Sequence, residues 1–348
     1  MNIYNTLIII LLIFLFICLF VKKSMHIDKI LIFIIAFLLI YVASNRALDV
    51  GTDTSVYFSN FQSIEFEGSS RTYQGLQIGW YYFNLFIYQL FNYDTFMYIV
   101  YTILIGFVCY VSYKESKYPL LSILLFVLLY FYFHSFNGMR QYIAISILFY
   151  GYSFLSKGDK KKYLFSVCIA SLFHFTAVLM LPLLYIEKIK ISPIIVYFSV
   201  IVSFIIGIVF SDLLTGLVPY FAYLSVLNEG VSDYLDNYGG ERSFFSNFVI
   251  NLVYLITFYF SKDKRNTWLI LYLLFILSNN LLGAGGFANR IFWYFQIGML
   301  IAIPNTLKNI KPILLRSFYF IIILIYSFAI YYSCISTNVS EVVPYNFR

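Results

Sequence analysis

Apolar runs of about twenty residues recur along this chain, and they constrain it more than any other feature. The first, "IYNTLIIILLIFLFICLFV", covers residues 3–21. A helix needs ~20 such residues to cross ~30 Å of hydrocarbon. Comparable runs lie near 30–48, 95–112, 119–135, 138–155, 194–211, 246–261, 267–282, 290–304 and 317–334. Two more stretches, 76–91 and 163–186, are ambiguous. Strands of a membrane barrel would instead alternate over short segments. Composition agrees: 61% of residues are hydrophobic, 11% are charged, and 39 Phe and 34 Tyr are present. No soluble core has that balance. The expected fold is an all-α, polytopic helical integral membrane protein, with residues 1–348 as a single transmembrane domain.

Within that class the net charge of +7 reads as loop bias that sets orientation, not as a nucleic-acid footprint. Cys18, Cys109, Cys168 and Cys334 fall inside apolar runs at unrelated spacings, which suits packing and makes no metal site. The first run has neither a basic region before it nor a small-residue cleavage site, so it reads as a retained helix.

Lysines order the topology, because short cytoplasmic loops carry the Lys/Arg excess. With Lys22, Lys23 and Lys29 inside, the loop that follows the second run lies outside. A full crossing by 76–91 would put Lys114, Lys117 and the "KGDKKK" loop outside as well, so that stretch is expected to be an interfacial or re-entrant outer helix. The same parity makes 163–186 a re-entrant hairpin turning near His174 to Thr176. About ten full crossings result, with outer loops 49–75 and 211–245. All fifteen lysines then lie on one side, and six of the eight arginines on the other: Arg46, Arg71, Arg140, Arg242, Arg290 and Arg348. Arginine's planar fork suits phosphate and carboxylate, which a solvated loop would not require.

Several outer motifs follow. In "FNGMRQYIA", Asn137 is the expected N-cap of an outside-to-inside helix, with Arg140 and Gln141 in its first turn. A cation there opposes the helix dipole, whereas a bound anion would satisfy both. Asn289 and Arg290 repeat the pattern after Gly283, Gly285 and Gly286, so the two helix starts could clamp one diphosphate. Lipid-headgroup snorkelling or a carboxylate partner is the ordinary alternative. Arg46, Asp49, Thr52, Asp53 and Tyr57 cluster around Gly51, either for substrate positioning or general-base chemistry by Asp53, or as an Asx-type turn with an Arg–Asp pair. His174 falls deep in its stretch, where an ionisable group that faces water suggests function. His134 sits among interfacial tyrosines, and His26 in a cytoplasmic loop. Tyrosines beside carboxylates in the loop after residue 211 suit a sugar surface or a membrane interface equally.

Taken in order, "RALDVGTDTSVY" (46–57), "FNGMRQYIA" (136–144), "SLFHFTA" (171–177) and "NRIFWYF" (289–295) resemble the EpsG family of Wzy-like polysaccharide polymerases. The resemblance covers nearly the whole chain and is weakest over 186–285. It implies a glycosyltransferase of the bacterial cytoplasmic membrane. Such an enzyme joins oligosaccharide units carried on polyprenyl (undecaprenyl) diphosphate at the outer face, building O-antigen, capsule or exopolysaccharide. It further implies a lipid-linked oligosaccharide substrate, no cofactor or metal, and a chain-length regulator protein as a candidate partner. Arg140, Arg290, Asn137, Gln141 and Asn289 would hold diphosphate, and Arg46, Asp49, Thr52 and Tyr57 would position sugar. His174 and Asp53 are the candidates for the catalytic base. Imidazole accepts a proton near neutral pH unaided, so His174 is the expected base and Asp53 a positioning residue. A ligase of finished chains, or a flippase, stays open as an alternative.

Overall fold

The computed structural model describes residues 2–20, 25–64, 77–188, 192–210, 213, 244–282 and 286–348. The expectations for Arg71, Arg242, Gly283, Gly285, most of the loop 211–245 and the Asn289 side chain lie outside the described residues. The protein is all-helical, with no strand among the described residues. Two compact units are present: Met1–Leu181 with Ser327–Arg348, and Pro182–Tyr326.

The first unit holds α1 (Asn2–Phe20), α2 (Met25–Ser44), α3 (Thr54–Ser63), α4 (Ile78–Leu90), α5 (Tyr93–Glu115), α6 (Pro119–Leu128), α7 (Phe131–Asn137), α8 (Met139–Leu155) and α9 (Lys160–Phe173). Helix α5 packs against α2, α6 and α8, and α8 packs against α9. Nine of the ten residues of α6 are buried, and α8 is buried almost throughout. A helix apolar on every side is one enclosed by others, so these are the inner helices. Where α8 and α9 cross, a Cβ on Gly151 would stand 2.8 Å from the Ser166 Cβ. Small residues allow this approach in membrane helix pairs.

The run expected at 119–135 is broken. Helices α6 and α7 meet at a 51° bend, and Tyr130 takes φ +71 at the joint. A left-handed tyrosine costs about 1–2 kcal/mol. It is held there by burial, with its ring packed on Phe133 and His134. The stretch 163–186 also reverses. Helix α9 ends at Phe173, His174 is extended, and a 3-10 segment, Phe175–Lys188, follows. Its Met180 carbonyl accepts from the Tyr163 hydroxyl at 2.7 Å, so the chain has turned back along α9. Helix α4, at thirteen residues, is about 20 Å long, short of a hydrocarbon core.

Among the described residues, lysines and arginines occupy opposite ends of this unit. Lys29 lies over the Tyr113 ring, Lys157 pairs with Glu115 at 2.6 Å, and Lys162 pairs with Asp159 at 2.8 Å. The opposite end carries Arg46, Arg140 and Arg348, at the far ends of α2 and α8. Segment 337–348 lies across that end: Gly51 N donates to Glu341 O and Ala47 N to Asn346 O, each at 2.8 Å, and Arg46 bridges Phe347. Arg348 pairs with Asp94.

The second unit holds α10 (Pro193–Val209), α11 (Phe244–Phe260), α12 (Thr267–Leu282), α13 (Gly286–Gln296), α14 (Met299–Asn309) and the first part of α15 (Ile313–Ser336). Helix α12 packs on α10, α11, α13 and α14. The run expected at 290–304 is divided at Ile297–Gly298. There a Cβ on Gly298 would stand 2.8 Å from the Leu271 Cβ, so the close passage of α12 requires glycine. Ile27–Ser44, Tyr93–Glu115 and Ile313–Ser336 are each long and apolar enough to cross a membrane. The bent α6–α7 pair is a fourth candidate, and five shorter apolar helices accompany them.

Candidate functional site

The C-terminus of α7 organises the arginine end of the first unit. A buried helix end leaves carbonyls that no intrahelical N–H can satisfy. Here three consecutive carbonyls receive side chains from elsewhere. Tyr101 Oη donates to Ser135 O at 3.2 Å, Arg46 Nη2 to Phe136 O at 3.2 Å, and Tyr57 Oη to Asn137 O at 2.8 Å. A cation at a helix C-terminus also complements the dipole.

Arg46 is fully buried. Its Nη1 donates to Ala43 O at 2.5 Å and its Nε to Thr54 Oγ1 at 3.1 Å. The guanidinium carbon lies 4.4 Å from the Phe136 ring centroid and 5.1 Å from that of Tyr101. Its fork is spent on carbonyls, a hydroxyl and two ring faces, so in this structure it positions α7 and the loop that follows α2. Asp49 does not reach it; Asp49 Oδ2 accepts from Asn346 Nδ2 at 3.1 Å. Thr52 is exposed, and its hydroxyl donates to Asp53 Oδ1 at 3.1 Å. Asp53 stands immediately before α3, half-buried, with no side-chain cap bond. Gly51 takes φ +94, and a Cβ there would lie 2.7 Å from Asn137 Oδ1. Two independent constraints therefore require glycine.

Asn137 was expected to cap α8. It instead closes α7, and Gly138 stands at the head of α8. The 7-residue α7 uses up the residues that sequence periodicity assigns to the preceding run. Asn137 Nδ2 donates to Ser340 O at 3.0 Å, and Ser340 Oγ lies 3.3 Å from His134 Nδ1. Asn137 Oδ1 is buried without a hydrogen-bond partner.

Arg140, half-buried in the first turn of α8, donates from Nη1 to Gln77 Oε1 at 3.3 Å. It also lies against the Tyr57 hydroxyl. Burial pushes the Tyr57 phenol up to about 12, while Arg140 pulls it down. Tyr57 thus stays a neutral donor between Asn137 O and Arg140. Gln141 is buried.

His174 stands at the same end. Leu172 meets Gly79 so closely that a Cβ on Gly79 would lie 2.5 Å from the Leu172 Cβ, and Gly79 is two residues from Gln77. The antiparallel crossing that puts Ser166 beside Gly151 sets His174 level with about Ile143, roughly one helical turn along α8 from Arg140. His174 Nδ1 lies 2.6 Å from Thr176 Oγ1, and the ring is half-buried. The first unit therefore gathers Tyr57, Gln77, Arg140 and His174 at one end. Gln77 and Ser340 carried no site signal in the sequence, since their side-chain contacts with Arg140 and His134 span more than sixty residues.

In the second unit Arg290 is half-buried near the start of α13. Among the described residues, no three of His, Cys, Asp and Glu are grouped to hold a metal ion. No curated protein and no solved structure matches the chain. A model of the EpsG family matches residues 29–347, nearly the whole chain, and takes in the Arg46 loop, the Arg140 helix start, the His174 turn and Arg290. The chain belongs to the EpsG family, a family of Wzy-like polymerases.

Proposed function

We propose that the protein is a polysaccharide polymerase of the bacterial cytoplasmic membrane, crossing it about ten times. It joins oligosaccharide repeat units carried on polyprenyl diphosphate, with the site at the face opposite the lysines. One observation carries this reading: in the first unit a half-buried arginine and a histidine about one turn away share an end where, among the described residues, no lysine lies.

In this reading Arg140, with Gln141 behind it, holds the diphosphate of a lipid-linked unit in the first unit, and Arg290 with Asn289 is the second unit's own candidate for phosphate. His174 removes the proton from the attacking sugar hydroxyl. The new bond joins that oxygen to the anomeric carbon of the donor sugar. The bond from that carbon to the diphosphate oxygen breaks, and the diphosphate leaves with the electron pair. Arginines stabilise the departing charge, so a base matters more than an acid, and the transfer needs no metal. Asp53 and Thr52 orient sugar hydroxyls, and Arg46 and Asp49 hold the loop that presents them. The products would be O-antigen, capsule or exopolysaccharide chains, and a chain-length regulator protein fits as partner.

Deletion of the gene followed by glycan gel analysis tests the reading. Products of a single repeat are expected. Intact chains retained on carrier lipid would make the protein a ligase, and lost export a flippase.

A further inference from the structure

The second unit carries a polar cluster outside the site described above. Asn251 of α11 and Asn280 of α12 are buried and exchange amide hydrogen bonds in both directions at 2.8 Å. Asn280 Nδ2 also donates to Ser203 Oγ of α10 at 2.9 Å. This floor ties three helices together and is internally satisfied. Asn279, next to Asn280 on α12, donates from Nδ2 at 3.2 Å to Oδ1 of Asn247, which is one turn nearer the start of α11 than Asn251, and both residues are half-buried.

The upper pair is more than the helices need. Interhelical side-chain hydrogen bonds in membranes contribute little each, and polar groups in apolar helices are expensive to insert. A primary amide offers two N–H donors and a carbonyl with two lone pairs, so among the described residues the one mutual bond leaves donor and acceptor capacity on both amides. The pair sits at the end of α11 opposite Lys264, whose Nζ donates to the Tyr259 carbonyl at 2.8 Å. Arg290 lies near the start of α13 at this same end, because only residues 283–285 separate α12 from α13. Phe244, one turn nearer the tip and roughly 60° around α11 from Asn247, is 60% exposed. Its ring is backed by Phe248 and Phe204, with centroids at 6.4 and 5.7 Å. Open amides beside a backed aromatic face match a pyranose, which has a hydroxyl rim and an apolar C–H face.

We propose that Asn247 and Asn279, on the floor of Asn251 and Asn280 and beside Phe244, form a carbohydrate subsite that binds one sugar of the glycan through adjacent hydroxyls. The ligand class rests on the polymerase reading, and the test is separate from it. Purified protein in lipid nanodiscs is mixed with the methyl glycosides of glucose, galactose, mannose, N-acetylglucosamine and rhamnose, and binding is read by saturation-transfer NMR. At least one glycoside should bind, and the Asn247→Ala/Asn279→Ala variant should weaken that binding about tenfold or more. Asn247→Ser alone, which keeps a small polar group, should lower the same signal and leave the melting temperature in place. Absence of binding by every glycoside, or unchanged binding in both variants, overturns the subsite. A double variant that melts lower and binds as before makes the amides helix glue, and overturns it too. Long chains persisting in a deletion strain would sink the polymerase reading without changing any of these signals.

Discussion

The Tyr57 hydroxyl donates to the Asn137 carbonyl at 2.8 Å and meets the Arg140 guanidinium on its other side. One phenol therefore closes a buried helix end and steadies the arginine that opens the next helix. Tyr57→Phe keeps the ring contact with Trp80 and removes both polar roles. A lost hydrogen bond to a charged group is worth about 1.5–3 kcal/mol, so chain extension should fall roughly tenfold or more. Membrane levels should stay near normal. Extension at the wild-type rate in a reconstituted assay would remove Tyr57 from the site.

Arg46 and Arg140 should respond differently to lysine. Arg46 serves two carbonyls, one hydroxyl and two rings from full burial. A point charge cannot reach them all, so Arg46→Lys should cost about 2–4 kcal/mol of stability and lower the melting temperature. Arg140→Lys should leave stability nearly intact and impair extension. Equal melting curves for Arg46→Lys and wild type would contradict the positioning role.

Gly51→Ala combines a left-handed backbone with a Cβ placed 2.7 Å from Asn137 Oδ1. The backbone alone costs about 1–2 kcal/mol, and the contact adds to it. Thermal melting in detergent should drop by several degrees, and polymer should be lost in step with folded protein. An alanine variant as stable as the parent would mean that the loop relaxes freely.

The choice of base is settled by two substitutions compared at equal membrane levels. His174→Ala should abolish polymer, and Asp53→Asn should retain part of it. The reverse ranking would move the base to Asp53.

Cysteine labelling reports sidedness. Lys114→Cys should react only with reagents that reach the cytoplasm, since its turn meets that of Lys157 through the Glu115 ion pair. Labelling of intact cells at this position by an impermeant maleimide would reverse the assignment.

Much of the helical framework was legible, because an apolar run marks a helix whether other helices or hydrocarbon cover it. The runs 3–21 and 317–334 match the helices Asn2–Phe20 and Ile313–Ser336 to within a few residues. The bend at Tyr130 was not legible, since "LLYFYFHSF" has neither proline nor glycine to mark a left-handed residue. The turn at His174 was reached by charge parity, which counts helix ends and needs no local signal. Arg140 was legible through its conflict with the helix dipole. The full burial of Arg46 was not legible, because its acceptors are main-chain carbonyls that no sequence displays. The Asn251–Asn280 pair was missed for a related reason: each asparagine alone reads as a stray polar residue, and only packing joins them.

Segment 337–348 gives the arginine end a timetable. Asn346 meets Asp49 across 297 residues, and the whole second unit is encoded between them. At about 5–20 residues per second, some 15–60 s of translation separate the two partners. Until then the Gly51 N–H and the Asn137 amide lack the carbonyls of Glu341 and Ser340. The nascent protein would thus carry this corner unfinished until the late segment docks.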